Sequence, residues 1–288
     1  MRVKTFLVAA VVTLCAVGFA MADPSEKVHE VIPAEGVDNI ELEIDFGAGQ
    51  INLNVADQEE AAILDIIRDP EWVDYDIDYR PRNKTGRLIL ESELRSRRHH
   101  HDDDDDLDNE WNVVLSSRYK HVIELDMGAC DADIDLGGLP LLEMSVNVGA
   151  TSGDIDFSKP NPVVMEVLDV DVGASSLDMH NLGNARVERF SFSCGAASCK
   201  LDFDGDFKGE TELDIDVGVG SADIMVPKGV AVRVIGDDGW FSSLDFHSLD
   251  LEHVRGDIYE TEDFRSADKR LIIRVDVGMG SVDIYGNR

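Results

Sequence analysis

The chain has 288 residues, with 59 Asp and Glu against 26 Lys and Arg, so its formal net charge is −33. So acidic a surface repels nucleic acid and anionic lipid headgroups, which excludes both as partners and favours cations and basic proteins. Hydrophobic residues make up 43% of the sequence. The chain therefore has enough apolar material for a packed core and does not belong to the intrinsically disordered class.

The first 22 residues have the three parts of a secretory signal. Arg2 and Lys4 give a positive start, residues 6–19 are apolar, and Ala20-Met21-Ala22 matches a cleavage site. The apolar run is short for a membrane span. We therefore expect the chain to be exported to the periplasm, the outer surface or the medium, with no stable transmembrane span in its mature part. A polar leader follows at 23–36.

A phrase of alternating apolar and acidic residues then recurs around a glycine, most clearly in LDIDVGVGSADIM at 213–225. Trp240 takes the place of the glycine in one degenerate copy. A period of about 22 residues with alternation inside it is typical of stacked β-coils. The glycine serves either a backbone with positive φ or a close approach of the next coil. The glycines at the centres of the other copies are Gly47, Gly128, Gly149, Gly173, Gly195, Gly218 and Gly278.

The residues three before, one before and six after the glycine are apolar in nearly every copy. Because side chains alternate between the two faces of a strand, these positions point inward and the positions between them face solvent. Each repeat then consists of two short strands joined at the glycine, and consecutive repeats stack. The sequence predicts an all-β fold, a parallel β-solenoid at 118–288 with a polar insert at 248–270. An N-terminal β-subdomain with the first repeat precedes it at 37–117.

Two outward positions, two before and five after the glycine, are acidic in most repeats. Stacking places like residues about 4.8 Å apart, where like charges destabilise a sheet. One interpretation is a solvated face that prevents aggregation through sheet edges. The other is a cation site in which carboxylates bind calcium, although Asn147, Ser193 and Lys200 interrupt the columns. The candidate ligands are Asp126, Asp133, Asp154, Asp171, Asp178, Asp216 and Asp223.

Residues 95–106 (RSRRHHHDDDDD) place a basic run beside an acidic one. Histidine and aspartate could bind a transition metal, but neighbours on an extended segment point in alternating directions and do not make a preformed site. The favoured interpretation is a flexible loop tip whose opposite charges neutralise each other.

Three cysteines follow the signal segment: Cys130, Cys194 and Cys199. An odd number in an oxidising compartment leaves at least one thiol free or joined to another chain. Cys194 and Cys199 flank the same glycine, so they could form a local disulfide. Equally, both could fill apolar positions as buried thiols.

Two copies of the phrase, IELEIDFGAGQINL at 40–53 and IRVDVGMGSVDI at 273–284, resemble the toast-rack family of adhesin-like bacterial extracytoplasmic β-solenoids. This family is related to the outer domain of accessory proteins that modulate cell-wall antibiotic-response signalling. The resemblance spans roughly residues 36–286, and it implies the fold but no catalytic residue and no cofactor. The signalling relatives carry a block of transmembrane helices that this chain lacks.

The sequence favours a non-enzymatic structural or interaction module of the bacterial envelope, adhesin-like or envelope-sensing, with an envelope protein or polysaccharide as its partner. The first alternative is calcium binding through the outward aspartates. A less favoured one is an enzyme acting on envelope polysaccharide. Paired carboxylates are abundant, but none stands out by its environment, and no Ser-His-Asp or Cys-His constellation is present.

Overall fold

The computed structural model describes residues 25–95, 108–236 and 243–286, which form 21 β-strands and one short α-helix. The first seven strands are β1 (Glu26–Ile32), β2 (Asn39–Ala56), β3 (Ala62–Arg68), β4 (Val73–Arg82), β5 (Thr85–Leu94), β6 (Asn109–Ser116) and β7 (Lys120–Asp135). The next are β8 (Leu141–Val148), β9 (Ser152–Asp156), β10 (Met165–Val172), β11 (Ser176–His180), β12 (Val187–Cys194), β13 (Ser198–Asp202), β14 (Glu210–Val217) and β15 (Ser221–Val226). The last are β16 (Ala231–Ile235), β17 (Ser243–His247), β18 (Leu251–Arg255), β19 (Ile258–Thr261), β20 (Arg270–Val277) and β21 (Ser281–Gly286), and the helix α1 (Leu182–Ala185) precedes β12.

Parallel pairing stacks these strands into a solenoid of coils. A coil is a pair of strands, or the two halves of β2 or β7, joined at a corner. The strands before the corner form the front sheet, and those after it form the back sheet. From one end to the other, the coils are β5/β6, β2, β7, β8/β9, β10/β11, β12/β13, β14/β15, β20/β21 and β16/β17, numbered 1 to 9. The predicted all-β solenoid of stacked two-strand coils is confirmed.

The expectation that consecutive repeats stack holds for coils 2 to 7 and is wrong for the last two repeats. The last repeat, coil 8 at 270–286, lies between coils 7 and 9, although coil 9 precedes it in sequence. The first repeat, coil 2, likewise lies between coil 1 and coil 3, and β2 pairs with β7 on both sides of the corner. A terminal repeat in this position has both strand edges paired, whereas at the end of the stack one edge would be open.

Antiparallel strands cover the ends of the stack. At one end, β4 pairs with β5 in the front sheet, and β3 followed by β1 extends the back sheet. At the other end, β19 pairs with β16 and then with β18. Residues 26–32 of the expected polar leader thus form β1, and the expected insert at 248–270 holds the β18–β19 hairpin. Aromatic contacts fix both covers: Tyr75 lies 6.2 Å from Trp111, and Tyr259 lies 5.2 Å from Phe246.

The core lies between the two sheets and follows the predicted inward columns. Side chains alternate between buried and solvent-facing along nearly every strand, as expected for a sheet with one packed face. In the column three before the glycine, Ile44, Val170 and Phe192 are at most 1% exposed. Val275 and Val277 of coil 8 are only partly buried. They face coil 9, whose corner at 237–242, with Trp240, lies outside the described residues.

The corner glycines are required by close approach and not by φ, because none of the seven has a positive φ. A Cβ on Gly173 would lie 2.8 Å from the carbonyl oxygen of Gly149, and a Cβ on Gly128 would lie 2.3 Å from that of Gly47. The same short distance recurs from Gly149 to Gly278. Hydrogen bonds between coils continue through the corner, for example from the Ala174 nitrogen to the Gly149 oxygen at 2.8 Å. A side chain here would separate the two coils.

Polar side chains are buried both in the connections between coils and in the strands. Asn161 and Asn184 are buried and bind backbone groups of neighbouring coils: the Asn161 amide donates to the Leu141 oxygen and the Asn184 amide to the Phe157 oxygen, both at 2.8 Å. His121 is fully buried at the start of β7, where its Nδ1 donates to the Tyr119 carbonyl oxygen at 2.9 Å. Its Nε2 has no hydrogen-bond partner among the described atoms. Burial lowers the pKa of His121 to about 4.

Gly173→Ala tests the corner constraint. The new methyl group would meet the Gly149 oxygen at 2.8 Å, so we expect the free energy of unfolding to fall by about 1–3 kcal/mol in urea titrations. Ala174→Ser adds one atom at the neighbouring exposed position and serves as the matched control, with a change within about 0.5 kcal/mol. Equal effects of the two substitutions would contradict a close approach at the glycine.

Because His121 is buried in its neutral form, we expect the folded protein to lose stability in weak acid. The folded state keeps the imidazole neutral down to a pKa of about 4, whereas the unfolded chain takes up a proton below about 6.5. Stability is therefore fully present above pH 6.5 and decreases as the pH falls, by about 2 kcal/mol at pH 5. Urea unfolding at pH 8 and pH 5 measures this loss. His121→Leu should remove most of the difference, and a variant that keeps the full pH dependence would show that another group causes it.

Candidate functional site

The two outward acidic columns form continuous ladders, because parallel pairing without a register shift places equivalent residues side by side. The front ladder runs Asp45, Asp126, Asn147, Asp171, Ser193, Asp216, Asp276. The back ladder runs Asn112, Asn52, Asp133, Asp154, Asp178, Lys200, Asp223, Asp283, Asp245. The order at the end of the back ladder follows the out-of-order coils 8 and 9.

The seven predicted cation ligands are therefore divided between two faces. Asp126, Asp171 and Asp216 belong to the front ladder, whereas Asp133, Asp154, Asp178 and Asp223 belong to the back ladder. Non-acidic residues separate the front three from one another, and Lys200 separates Asp178 from Asp223. The longest uninterrupted run among the seven is Asp133, Asp154 and Asp178.

The corner glycines separate the ladders and line a shallow groove. Its volume is about 620 Å³, and its floor is the glycine backbone of coils 2 to 6. Asp45, Asp126 and Asp171 of the front ladder form one wall. The absence of side chains at the corner thus leaves a smooth strip beside the front carboxylates.

Few positive charges neutralise the ladders. Among the described residues, no ladder carboxylate is paired with Lys or Arg, and the two ion pairs join Asp154 to His180 at 3.2 Å and Asp283 to His247 at 2.8 Å. Asp126 accepts a hydrogen bond from the Asn147 amide at 2.7 Å. The pKa of Asp223 is raised, first by desolvation and then by the charge of Asp283, while Lys200 opposes the shift. Its burial and the neighbouring carboxylate thus both disfavour the charged form of Asp223.

Coil 6 is where both ladders lose their negative charge. Ser193 occupies its front-ladder position and Lys200 its back-ladder position. Lys200 is flanked in register by Asp178 of coil 5 and Asp223 of coil 7. A cation between two carboxylates relieves part of their repulsion.

The back ladder contains one group with metal-ligand geometry. One ligand atom from each of Asp154, Asp178 and His180 lies within 4.8 Å of the other two. Asp154 is exposed, and the other two side chains are partly exposed. This is the single such group of His, Cys, Asp and Glu in the described part of the chain.

Sequence reasoning placed both aspartates of this group and missed His180. The residue lies two positions after Asp178, and the alternation of the strand therefore puts both side chains on the outer face. The pairing of β11 with β9 then brings His180 beside coil 4. The signal was present in the sequence, since the position seven after the glycine shares the outer face with the position five after it. His247 has this position in coil 9 and stacks on Tyr285, with ring centroids 4.6 Å apart.

The other predicted sites have different outcomes. Most of the Arg95–Asp106 segment lies outside the described residues. Cys130 is buried, with its Sγ 3.5 Å from the Thr151 hydroxyl, and burial raises the pKa of the Cys130 thiol. The Sγ atoms of Cys194 and Cys199 lie 3.3 Å apart in the core.

The chain matches the family model of the N-terminal domain of toast_rack over residues 21–167 and 160–225. No curated protein matches the sequence. No helix in the described ranges has the length and apolar character needed to cross a membrane.

Several solved structures align with the chain over most of its length. A provisionally named cell adhesion protein from Clostridium sporogenes is 15% identical with a TM-score of 0.46, and the alignment covers 91% of this chain and 100% of that one. A provisionally named adhesin from Bacteroides fragilis is 10% identical with a TM-score of 0.42, covering 94% and 100%. A provisionally named lipid binding protein from Parabacteroides distasonis is 10% identical with a TM-score of 0.32, covering 92% and 97%.

Proposed function

The chain belongs to the family of the toast_rack N-terminal domain, whose profile covers more than half of its residues, and we propose that it is a non-enzymatic interaction module of the bacterial cell envelope. In this proposal the chain is exported and binds a basic envelope protein through its acidic ladders. The observation that carries the proposal is the register of the ladders. Carboxylates of successive coils lie side by side, and histidine provides their ion pairs in the described part of the chain.

The aligned aspartates of the outer faces support this role, because solubility alone does not require charges of one sign in register. Aspartate is unfavourable in strands, and like charges directly opposite each other destabilise a sheet. A mixture of Lys and Glu would give the same solubility with less repulsion. Columns of one sign produce a directed field that steers a partner of opposite sign.

The charge also favours a basic protein over polysaccharide as the partner. Asp133, Asp154 and Asp178 present a row of carboxylates on the back sheet, and exposed serines at the start of the same strands, such as Ser152 and Ser176, widen the polar face. A row of Lys or Arg side chains complements such a face. Neutral glycans gain nothing from the field, and anionic glycans are repelled.

Site-specific photocrosslinking in the native envelope tests this proposal. A photoreactive residue in place of Ser176, which is exposed beside the back ladder, should capture a basic protein. The same residue in place of Lys159, which is exposed on the loop side, is the matched control and should not. Capture from the ladder should also decrease as sodium chloride is raised, because salt screens exposed charges.

Equal capture from both positions, or capture that salt does not change, would overturn the proposal. A pool of abundant envelope proteins at background level would also count against it. Asp154→Asn combined with Asp178→Asn should reduce capture from position 176, because the double substitution removes two adjacent charges of the ladder.

A second candidate function is cation binding, favoured by the group of Asp154, Asp178 and His180. Calcium prefers six to eight oxygen ligands, and an imidazole ligand suits a first-row transition metal instead. The imidazole of His180 therefore favours zinc or manganese over calcium as the bound cation. Since three ligand atoms lie within 4.8 Å of one another, one ion could contact all three, with water in the remaining positions.

Thermal unfolding with and without metal tests this candidate. Zinc at about 100 times its dissociation constant should stabilise the folded state by about 2.7 kcal/mol. The shift should be absent in His180→Ala and unchanged in His253→Ala, a histidine of the β18 strand outside this group. An equal shift in both variants, or no shift with zinc, manganese or calcium, would remove cation binding as a function.

A further inference from the structure

Cys194 and Cys199 occupy opposite sides of one corner. Cys194 ends β12 in the front sheet and Cys199 lies in β13 in the back sheet. Both side chains point into the core, where they are 1% and 3% exposed. Their Sγ atoms lie 3.3 Å apart, so a shift of about 1.3 Å would bring them to the bond length of a disulfide.

The same two positions in other coils hold pairs of apolar residues. In coil 7 the pair is Val217 and Ala222, and in coil 5 it is Val172 and Leu177, all of them buried. The corner contact therefore does not depend on sulfur for its packing. Among the described coils, coil 6 alone has a cysteine at both positions.

The surroundings leave few alternative roles for the two thiols. A metal ion would need further ligands, and the one metal-ligand group in the described part of the chain contains no cysteine. Cys130, the third cysteine in the described ranges, is buried against Thr151 in another coil. Each sulfur thus has the other sulfur 3.3 Å away across the corner.

We propose that Cys194 and Cys199 form a disulfide that joins the front and back sheets at the corner of coil 6. The bond closes a loop of six residues around Gly195. It leaves Cys130 as a buried thiol, so the odd cysteine does not crosslink two chains. The proposal is independent of the binding partner of the ladders.

The chemistry requires a disulfide oxidant, either a small molecule or a protein. The Cys194 thiolate attacks one sulfur of the oxidant and expels the other as a thiolate. The Cys199 thiolate then attacks the Cys194 sulfur and expels the first oxidant sulfur. Two thiols lose two protons and two electrons, and the oxidant becomes two thiols.

The bond should form before coil 6 closes, because both sulfurs are almost inaccessible in the folded chain. Once formed, it holds the corner at its present angle and is shielded from reductants by the packed core. In coil 6, Phe190 and Phe192 pack edge to face with ring centroids 5.9 Å apart. The disulfide would thus reinforce the coil that already has a concentrated aromatic core.

The test is refolding of the full chain, with Cys15→Ser, in a mixture of reduced and oxidised glutathione. After denaturation without reductant, thiols are alkylated and the peptides are weighed. The peptide with Cys194 and Cys199 should escape alkylation and be lighter by two hydrogen atoms, while Cys130 should be alkylated. Alkylation of both Cys194 and Cys199, or a link that includes Cys130, would overturn the proposal.

The melting temperature gives a second readout that does not depend on the peptide masses. Reduction of the oxidised protein under unfolding conditions should lower the melting temperature by roughly 5 °C. Cys194→Val combined with Cys199→Ala copies the residue pair of coil 7 and should fold, with a melting temperature that reductant does not change. Cys130→Ser should keep the full reductant effect. A reductant effect that persists in the first variant would contradict the assignment.

Discussion

The close approach of successive coils at the corner is the constraint on which the rest of the structure depends. In coils 3 to 8 a corner glycine lets the carbonyl oxygen of the preceding coil's glycine come closer than a Cβ would allow, and the hydrogen bonds between coils continue around the bend. The front and back sheets therefore keep the same register on both sides of the corner, and the irregularity between β7 and β8 lies away from it, at His121 and Val122. This common register aligns the core columns inside and the carboxylates outside. The acidic ladders are a consequence of the glycines.

The local phrase made the coil predictable, because its glycine and its alternation are both contained in about thirteen residues. The inward column of Ile44, Val170 and Phe192 and the outward aspartates follow from strand geometry alone. The phrase does not specify which coil lies next to which in the stack. Coil 8 carries the same phrase as coil 7, and only long-range pairing places it between coils 7 and 9. His180 was missed for a related reason, since its contact with Asp154 joins two different coils.

Charge and stability oppose each other on the outer faces. The apolar columns and the paired backbone stabilise the solenoid, whereas adjacent carboxylates such as Asp133 and Asp154 oppose it. The fold tolerates this because the repulsion acts in water on exposed side chains and is screened there. A partner or a cation that binds the ladders would relieve the repulsion, so binding and folding stability are linked. The same ladders that suit an interaction surface therefore make the free protein less stable than its core would allow.

The out-of-order coils have a consequence for how the molecule is made. Coil 8 contributes the neighbouring strands for both coil 7 and coil 9, yet its residues follow those of coil 9 in the sequence. A nascent chain that has completed coil 9 but not coil 8 still lacks the strands that join coil 7 to coil 9. Residues 270–286 supply both sets of pairings. A chain truncated before residue 270 has neither set, so closure of this end of the solenoid has to wait until these residues have been made.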